Sequence, residues 1–103
     1  MKKIKKLMDH IAAEINDAEE YIRDAEACKE NDSEVADTYC RLAEEELGHM
    51  AMLHKQVVRV IEAYRKTNGS PPPEMQVRYD VLHEVYMEHV RKVRMMIQMY
   101  KEG

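Results

Sequence analysis

Apolar residues recur in steps of three and four along nearly the whole chain, a spacing typical of one face of an α-helix. Two breaks interrupt the pattern: the polar stretch 31–33, and Asn68-Gly69-Ser70 followed by three prolines. Polar and glycine-proline stretches of this kind end helices and start new ones. The pattern therefore predicts three helices, over about 3–29, 34–66 and 74–100.

Each predicted helix carries a row of residues that we expect to face its neighbours. On helix 1 the row is Leu7, Ile11, Glu14, Ala18, Tyr21 and Ala25, flanked by Ile4, Met8, Ile15 and Ile22. On helix 2 it is Val35, Tyr39, Leu42, Glu46, His49, Leu53, Gln56 and Val60. On helix 3 it is Met75, Tyr79, Leu82, Tyr86, His89, Val93, Met96 and Tyr100. The polar members of these apolar rows need a physical reason to be there.

Three of those polar residues are predicted to meet. Folding helices 1 and 2 antiparallel about a turn near Asn31 brings Glu14 level with Glu46, while His49 follows Glu46 by one helical turn on the same face. Burying ionised carboxylates there costs several kcal/mol each unless a cation or protons neutralise them. We therefore expect a metal ion bound by Glu14, Glu46 and His49. The plainer alternative for Glu14 is an ion pair with a basic residue of a neighbouring subunit.

The two breaks carry further local signals. Asp32 or Ser33 is a natural N-cap for helix 2. Gly48, in the interior of that helix, costs about 1 kcal/mol against alanine, and its missing side chain would let another helix approach the site. The corner at 70–73 is stiff and can aim helix 3 away from its own hairpin, toward a partner subunit.

Composition limits the class of protein. The 103 residues suit one domain, 1–103, and 35% charged residues with only three glycines are typical of long helices. A net charge of −4 argues against nucleic acid, and the absence of any apolar run near about 18 residues argues against a membrane span. No secretory signal is apparent, and the spacing of Cys28 and Cys40 does not suit a disulfide. We expect a cytoplasmic protein with reduced thiols.

The ligand set is half of a known kind of site. Carboxylate-bridged di-metal sites in helical bundles take one Glu from each of two helices and a Glu-x-x-His from each of two others. One chain supplies Glu14 with Glu46 and His49, so a second copy across a two-fold axis would give six ligands for two metals. Oxygen donors with one imidazole per metal suit Fe(II), Mn(II) or Zn(II).

These residues resemble the ferritin-like superfamily. The segment from Glu14 to Tyr21 is similar to the Glu-x6-Tyr of rubrerythrins and encapsulated ferritins, and Glu46-Leu47-Gly48-His49 follows about 32 residues downstream, close to those families' spacing. Encapsulated ferritins, which are single hairpins with a third helix, are the nearer analogue. The resemblance covers helices 1 and 2.

The resemblance implies an all-α fold in which a long antiparallel hairpin with a third helix becomes a four-helix bundle on dimerisation. It implies that Glu14, Glu46 and His49 bind iron, with Fe(II) oxidised by O2 or peroxide at a di-iron centre in a homodimer or a ring of dimers. Tyr21 would be a neighbour of the ligands. Tyr21 and Tyr39 are more often packing residues than redox relays. We see no apolar-tipped targeting tail in the chain, and we keep an encapsulating shell only as an alternative.

The other polar residues have plainer interpretations. His89 is expected to be a hydrogen-bonded core histidine; the alternative is that it is an additional metal ligand or a neighbour of the ligands. Asp80-x-x-His83 has metal-ligand spacing but lies beside the row of helix 3. His10 and His54 are expected at the surface. Four methionines of helix 3 suggest packing filler or a subunit interface rather than copper: Met87, Met95, Met96 and Met99.

Three functions from different classes follow. The first is a di-iron ferroxidase for iron storage or detoxification. The second is a Zn or Mn site that only stabilises a dimer, without turnover. The third is a metal-free helical adaptor that binds a partner through helix 3 and its methionines. Iron oxidation, chelator-dependent size in solution and elemental analysis distinguish them.

Overall fold

The computed structural model describes residues 2–103, except for the side chains of Glu74, Met75 and Arg78. Met75, a predicted core residue, therefore lies outside the described side chains. The described residues form three α-helices and no strand: α1 (Lys2–Cys28), α2 (Ser33–Asn68) and α3 (Pro73–Glu102). The all-α prediction is confirmed, and every helix begins and ends within two residues of its predicted position.

Local chemistry explains where α2 begins and ends. Asp32 is the N-cap, and its Oδ1 accepts a hydrogen bond of 3.1 Å from the backbone N–H of Val35. At the other end Gly69 adopts a φ of 76°, a conformation that glycine tolerates best, and its N–H donates to the carbonyl oxygen of Arg65. The proline corner then starts α3 at Pro73.

The core lies between the three helices, on faces rotated by about one residue from those predicted. On α1 the buried residues are Ile4, Met8, Ile11, Ile15, Ala18, Ile22 and Ala25. On α2 they are Ala36, Cys40, Ala43, Leu47, Met50, Val57, Val60 and Ile61. On α3 the buried residues are Val90, Val93, Ile97 and Tyr100.

The predicted rows were therefore wrong in part. Val35, His49 and Gln56 are exposed, while Glu14 and Glu46 lie at the edge of the core rather than within it. The physical reason is that the observed faces of α1 and α2 are wholly apolar, so they bury hydrocarbon without desolvating a charge. Ile11, Ala18, Ala25 and Val60 of the predicted rows are buried, whereas the other row members on α1 and α2 form a half-buried or exposed margin along one side of the hairpin.

Helix α3 packs against its own hairpin, so the expectation that the corner aims it elsewhere was wrong. Near its C-terminus the Tyr100 hydroxyl donates to Asp37 Oδ1 at 2.6 Å. Lys29 Nζ donates to the carbonyl oxygen of Tyr100 at 2.9 Å and lies 4.6 Å from the centre of its ring. Asp37 of α2 and Lys29, the residue that follows α1, thus hold the end of α3.

The three helices make an elongated molecule, 56 × 18 × 18 Å, with a radius of gyration of 16.5 Å. A globular domain of this length has a radius of gyration of about 13 Å. None of the helices within residues 2–103 contains an apolar stretch long enough to cross a bilayer.

Candidate metal centre

The structure brings Glu14, Glu46 and His49 together, as the antiparallel register predicted. One potential ligand atom from each residue lies within 4.8 Å of the other two. His49 Nδ1 is 3.5 Å from Glu14 Oε2 and 3.8 Å from Glu46 Oε1. Two neighbouring helices therefore supply the three side chains, two of them one turn apart on α2.

The cluster lies on the side of the hairpin that α3 leaves open. Helix α3 contacts α1 through Glu19 and α2 through Asp37. At about 100° per residue, Glu14 lies about 140° around α1 from Glu19, while Glu46 lies about 180° around α2 from Asp37 and about 80° from His54, which also contacts α3. Glu14 and Glu46 side chains are 25% and 17% exposed, while His49 is 55% exposed. The site is thus a shallow cluster with half-buried carboxylates and an accessible imidazole.

The two carboxylates leave a polar atom unsatisfied. Glu14 Oε2 is the one buried side-chain N or O atom of the described residues that lacks a hydrogen-bond partner. The pKa of Glu46 is raised to about 7. The main cause is a hydrogen bond between protonated Glu46 and Glu14, and burial and the charge of Glu14 add to it, while the charge of His49 lowers the pKa by a smaller amount. With both carboxylates ionised, the site needs positive charge.

Tyr21 and Tyr39 pack together across the hairpin, at the same level of α1 and α2. Their ring centres are 6.2 Å apart, with planes inclined by 29°. Both are half-buried against the core. Tyr21 is seven residues from Glu14, two helical turns or about 10 Å along α1. The structure supports the packing role, and the redox role stays a prediction.

The remaining histidines show where the sequence was informative. His89 is a hydrogen-bonded histidine as predicted, with its Nε2 2.7 Å from Glu19 Oε1. His10 is exposed as predicted, but His54 is not a surface residue: it is half-buried where α2 meets α3, and its Nε2 lies 2.8 Å from Nε2 of His83. Nothing in the sequence indicated this pair, because it depends on how α3 docks.

Asp80 and His83, which have metal-ligand spacing in the sequence but lie beside the predicted row, have separate partners. Asp80 Oδ1 accepts a hydrogen bond of 2.9 Å from Gln76 Nε2, whereas His83 faces His54. Among the methionines of α3, Met87 and Met96 pack against the core, as expected of filler, while Met95 and Met99 are more than 60% exposed. The thiols of Cys28 and Cys40 are free.

No family model, no curated protein and no solved structure matches the chain. The geometry of the chain's own residues therefore has to carry any functional argument.

Proposed function

We propose that the chain binds Fe(II) at Glu14, Glu46 and His49 and, as a homodimer with a ferritin-like four-helix bundle, oxidises it. The observation that carries the proposal is the convergence of two carboxylates and an imidazole within 4.8 Å, around a buried carboxylate oxygen with no partner. The convergence is a property of the folded hairpin and does not depend on the family resemblance.

The donor set fits a divalent transition metal. Donor atoms on one ion, each about 2.1 Å away, lie no more than about 4.2 Å from one another. The two measured separations from His49 Nδ1 are already below that limit. A cation would also satisfy Glu14 Oε2 and remove the repulsion between the two carboxylates. Small side-chain movements are enough to form the site.

The surroundings of the site favour a second copy of the chain as its cover. Half-buried or exposed apolar residues of the open side flank the cluster along both helices: Leu7, Tyr21, Val35, Tyr39, Leu42 and Leu53. Covering them with the same surface of a second hairpin would bury apolar area and build a four-helix bundle. Two sets of Glu14, Glu46 and His49 would then face each other and hold two metals.

Fe(II) is the substrate in this proposal. Glu46 would hold both ions, whereas Glu14 and His49 would each hold one of them. Each Fe(II) gives up one electron, and two electrons with two protons convert one O2 into one hydrogen peroxide. The role of the chain is to hold two ions within reach of one oxidant molecule and to balance their charge with carboxylates. Mn or Zn at the same ligands would not supply this chemistry.

The test measures iron content and the rate of aerobic Fe(II) oxidation, with any polyhistidine tag removed. The proposal expects two irons per dimer, oxidation faster than in buffer, and loss of both in Glu46→Ala. Glu45→Ala is the matched control, because Glu45 is the exposed neighbour on the same helix. Oxidation no faster than in buffer would refute the enzymatic part of the proposal.

The same preparation separates the other functions. A dimer that dissociates with chelator but shows no oxidation indicates a structural Zn or Mn site. Protein that carries no metal and binds none indicates an adaptor. The observation that favours an adaptor is the exposed apolar row of α3, formed by Val77, Val81 and Val85, each more than half exposed.

A further inference from the structure

His54 of α2 and His83 of α3 meet head to head between the two helices. Their Nε2 atoms are 2.8 Å apart while their ring centres are 4.9 Å apart, so the rings approach through these nitrogens rather than face to face. The ring of Tyr79, one turn before His83, lies against it at 5.6 Å between centres. Both imidazoles are half-buried.

The pair is close to the geometry of two ligands on one ion. In a neutral pair one imidazole donates and the other accepts, through the same nitrogens that bind metals. Zn–N bonds of about 2.0–2.1 Å in a tetrahedral site place the two nitrogens about 3.3 Å apart. To admit a cation, the two nitrogens therefore have to separate by about half an ångström and each ring has to tilt so that its Nε2 lone pair points at the ion.

The surroundings of His54 favour the neutral form of its imidazole. Burial, together with the proximity of His83, lowers the pKa of His54. This keeps the imidazole in the neutral form that metal binding requires.

We propose that His54 and His83 form a second metal site, which binds Zn²⁺ or another divalent ion that favours imidazole, such as Cu²⁺ or Ni²⁺, with water as the remaining ligands. The site is separate from the carboxylate cluster. His54 is eight residues beyond Glu46, about 12 Å along α2, and its partner comes from α3 rather than α1. Nitrogen donors alone favour Zn²⁺ and Cu²⁺, whereas two carboxylates with one imidazole favour Fe(II) and Mn(II).

A bound metal ion would cross-link α2 and α3. Toward the corner, the polar link between these helices is the hydrogen bond of 3.1 Å from Arg65 to Gln76 Oε1, which is exposed. A metal ion held by one ligand from each helix would fix the N-terminal half of α3 on the hairpin. Occupancy should therefore slow amide exchange in that half of α3.

The test titrates Zn²⁺ and Cu²⁺ into tag-free protein carrying Glu46→Gln, which disables the carboxylate cluster. We expect one equivalent to bind, with at least tenfold weaker affinity when His83→Gln is added and no change with His10→Gln, the exposed-histidine control. The Cu²⁺ electron paramagnetic resonance spectrum should show two equatorial nitrogens. His54→Gln serves as a second variant, and circular dichroism confirms that each variant folds.

Two results would overturn the proposal: no saturable binding in the Glu46→Gln background, or equal binding with and without His83→Gln. Neither result bears on iron, because the oxidation assay in the preceding section depends on Glu46 and not on His83. Conversely, Zn²⁺ binding at His54 and His83 would stand even if the carboxylate cluster bound no iron.

Discussion

Replacing Glu46 by glutamine should stabilise the metal-free protein at pH 8. In the wild type Glu46 is ionised at that pH beside the carboxyl group of Glu14, whose Oε2 has no hydrogen-bond partner. Glutamine has nearly the same shape, carries no charge, and can donate its amide N–H to that oxygen. The substitution therefore removes a repulsion and satisfies a buried acceptor in one step.

The magnitude follows from the pKa of Glu46, which the fold raises from its usual 4.5 to about 7. A carboxyl with a raised pKa keeps its proton in the folded state after the unfolded chain has lost it. Stability from this group is therefore full below pH 4.5 and is lost as the pH rises through 7. At 1.36 kcal/mol per pKa unit, the loss at pH 8 is at most about 3 kcal/mol. We expect Glu46→Gln to recover about 2 kcal/mol, roughly 10 °C in Tm.

The assay is thermal unfolding followed by circular dichroism, with chelator, from pH 4.5 to 8. The wild type should lose stability relative to Glu46→Gln as the pH rises, and added Fe(II) under anaerobic conditions should stabilise only the wild type. Glu45→Gln, at an exposed position on the same helix, should change neither curve. The reasoning is refuted if Glu46→Gln lowers Tm at pH 8, or if Glu45→Gln gives the same gain.

Three further predictions concern other parts of the fold. Tyr100→Phe removes the hydroxyl that donates to Asp37 and should cost about 2 kcal/mol in urea unfolding; an unchanged midpoint would contradict a role in holding α3. Hydrogen bonds from Arg23 and His89 lower the pKa of Glu19 to about 2, so the ionised carboxylate stabilises the fold above pH 4.5 and this stabilisation is lost toward pH 2. In Glu19→Gln, Tm should therefore change less between pH 4.5 and pH 2 than in the wild type. Gly48→Ala should stabilise the chain by about 1 kcal/mol, because an added Cβ meets nothing within 4 Å. If the same substitution weakens iron binding, a helix of a partner subunit packs against Gly48.

The sequence determined the helices and their register more reliably than the faces they bury. The turn at Asp32 and the break at Gly69 are local chemistry, and once the first turn is located, the pairing of Glu14 with Glu46 follows from counting residues. The buried faces depend on where α3 docks, which no local pattern encodes. Apolar residues cover a wide arc of α1, and periodicity alone does not locate the centre of that arc.

The histidines illustrate the same limit. His89 lies in the predicted row of α3 and was correctly expected to be hydrogen-bonded, because a half-buried imidazole needs a partner. His54 was expected to face solvent, yet it meets His83 because the chain reverses at the prolines. Contacts between residues 29 positions apart depend on the path of the whole chain.

The rod-like outline has a hydrodynamic consequence. A single chain 56 Å long and 18 Å wide should sediment more slowly and tumble more anisotropically than a sphere of its mass. Two such rods lying side by side would be rounder than either alone. Association through the open side would thus lower the frictional ratio while doubling the mass, whereas end-to-end association would raise it, and sedimentation velocity separates these two outcomes.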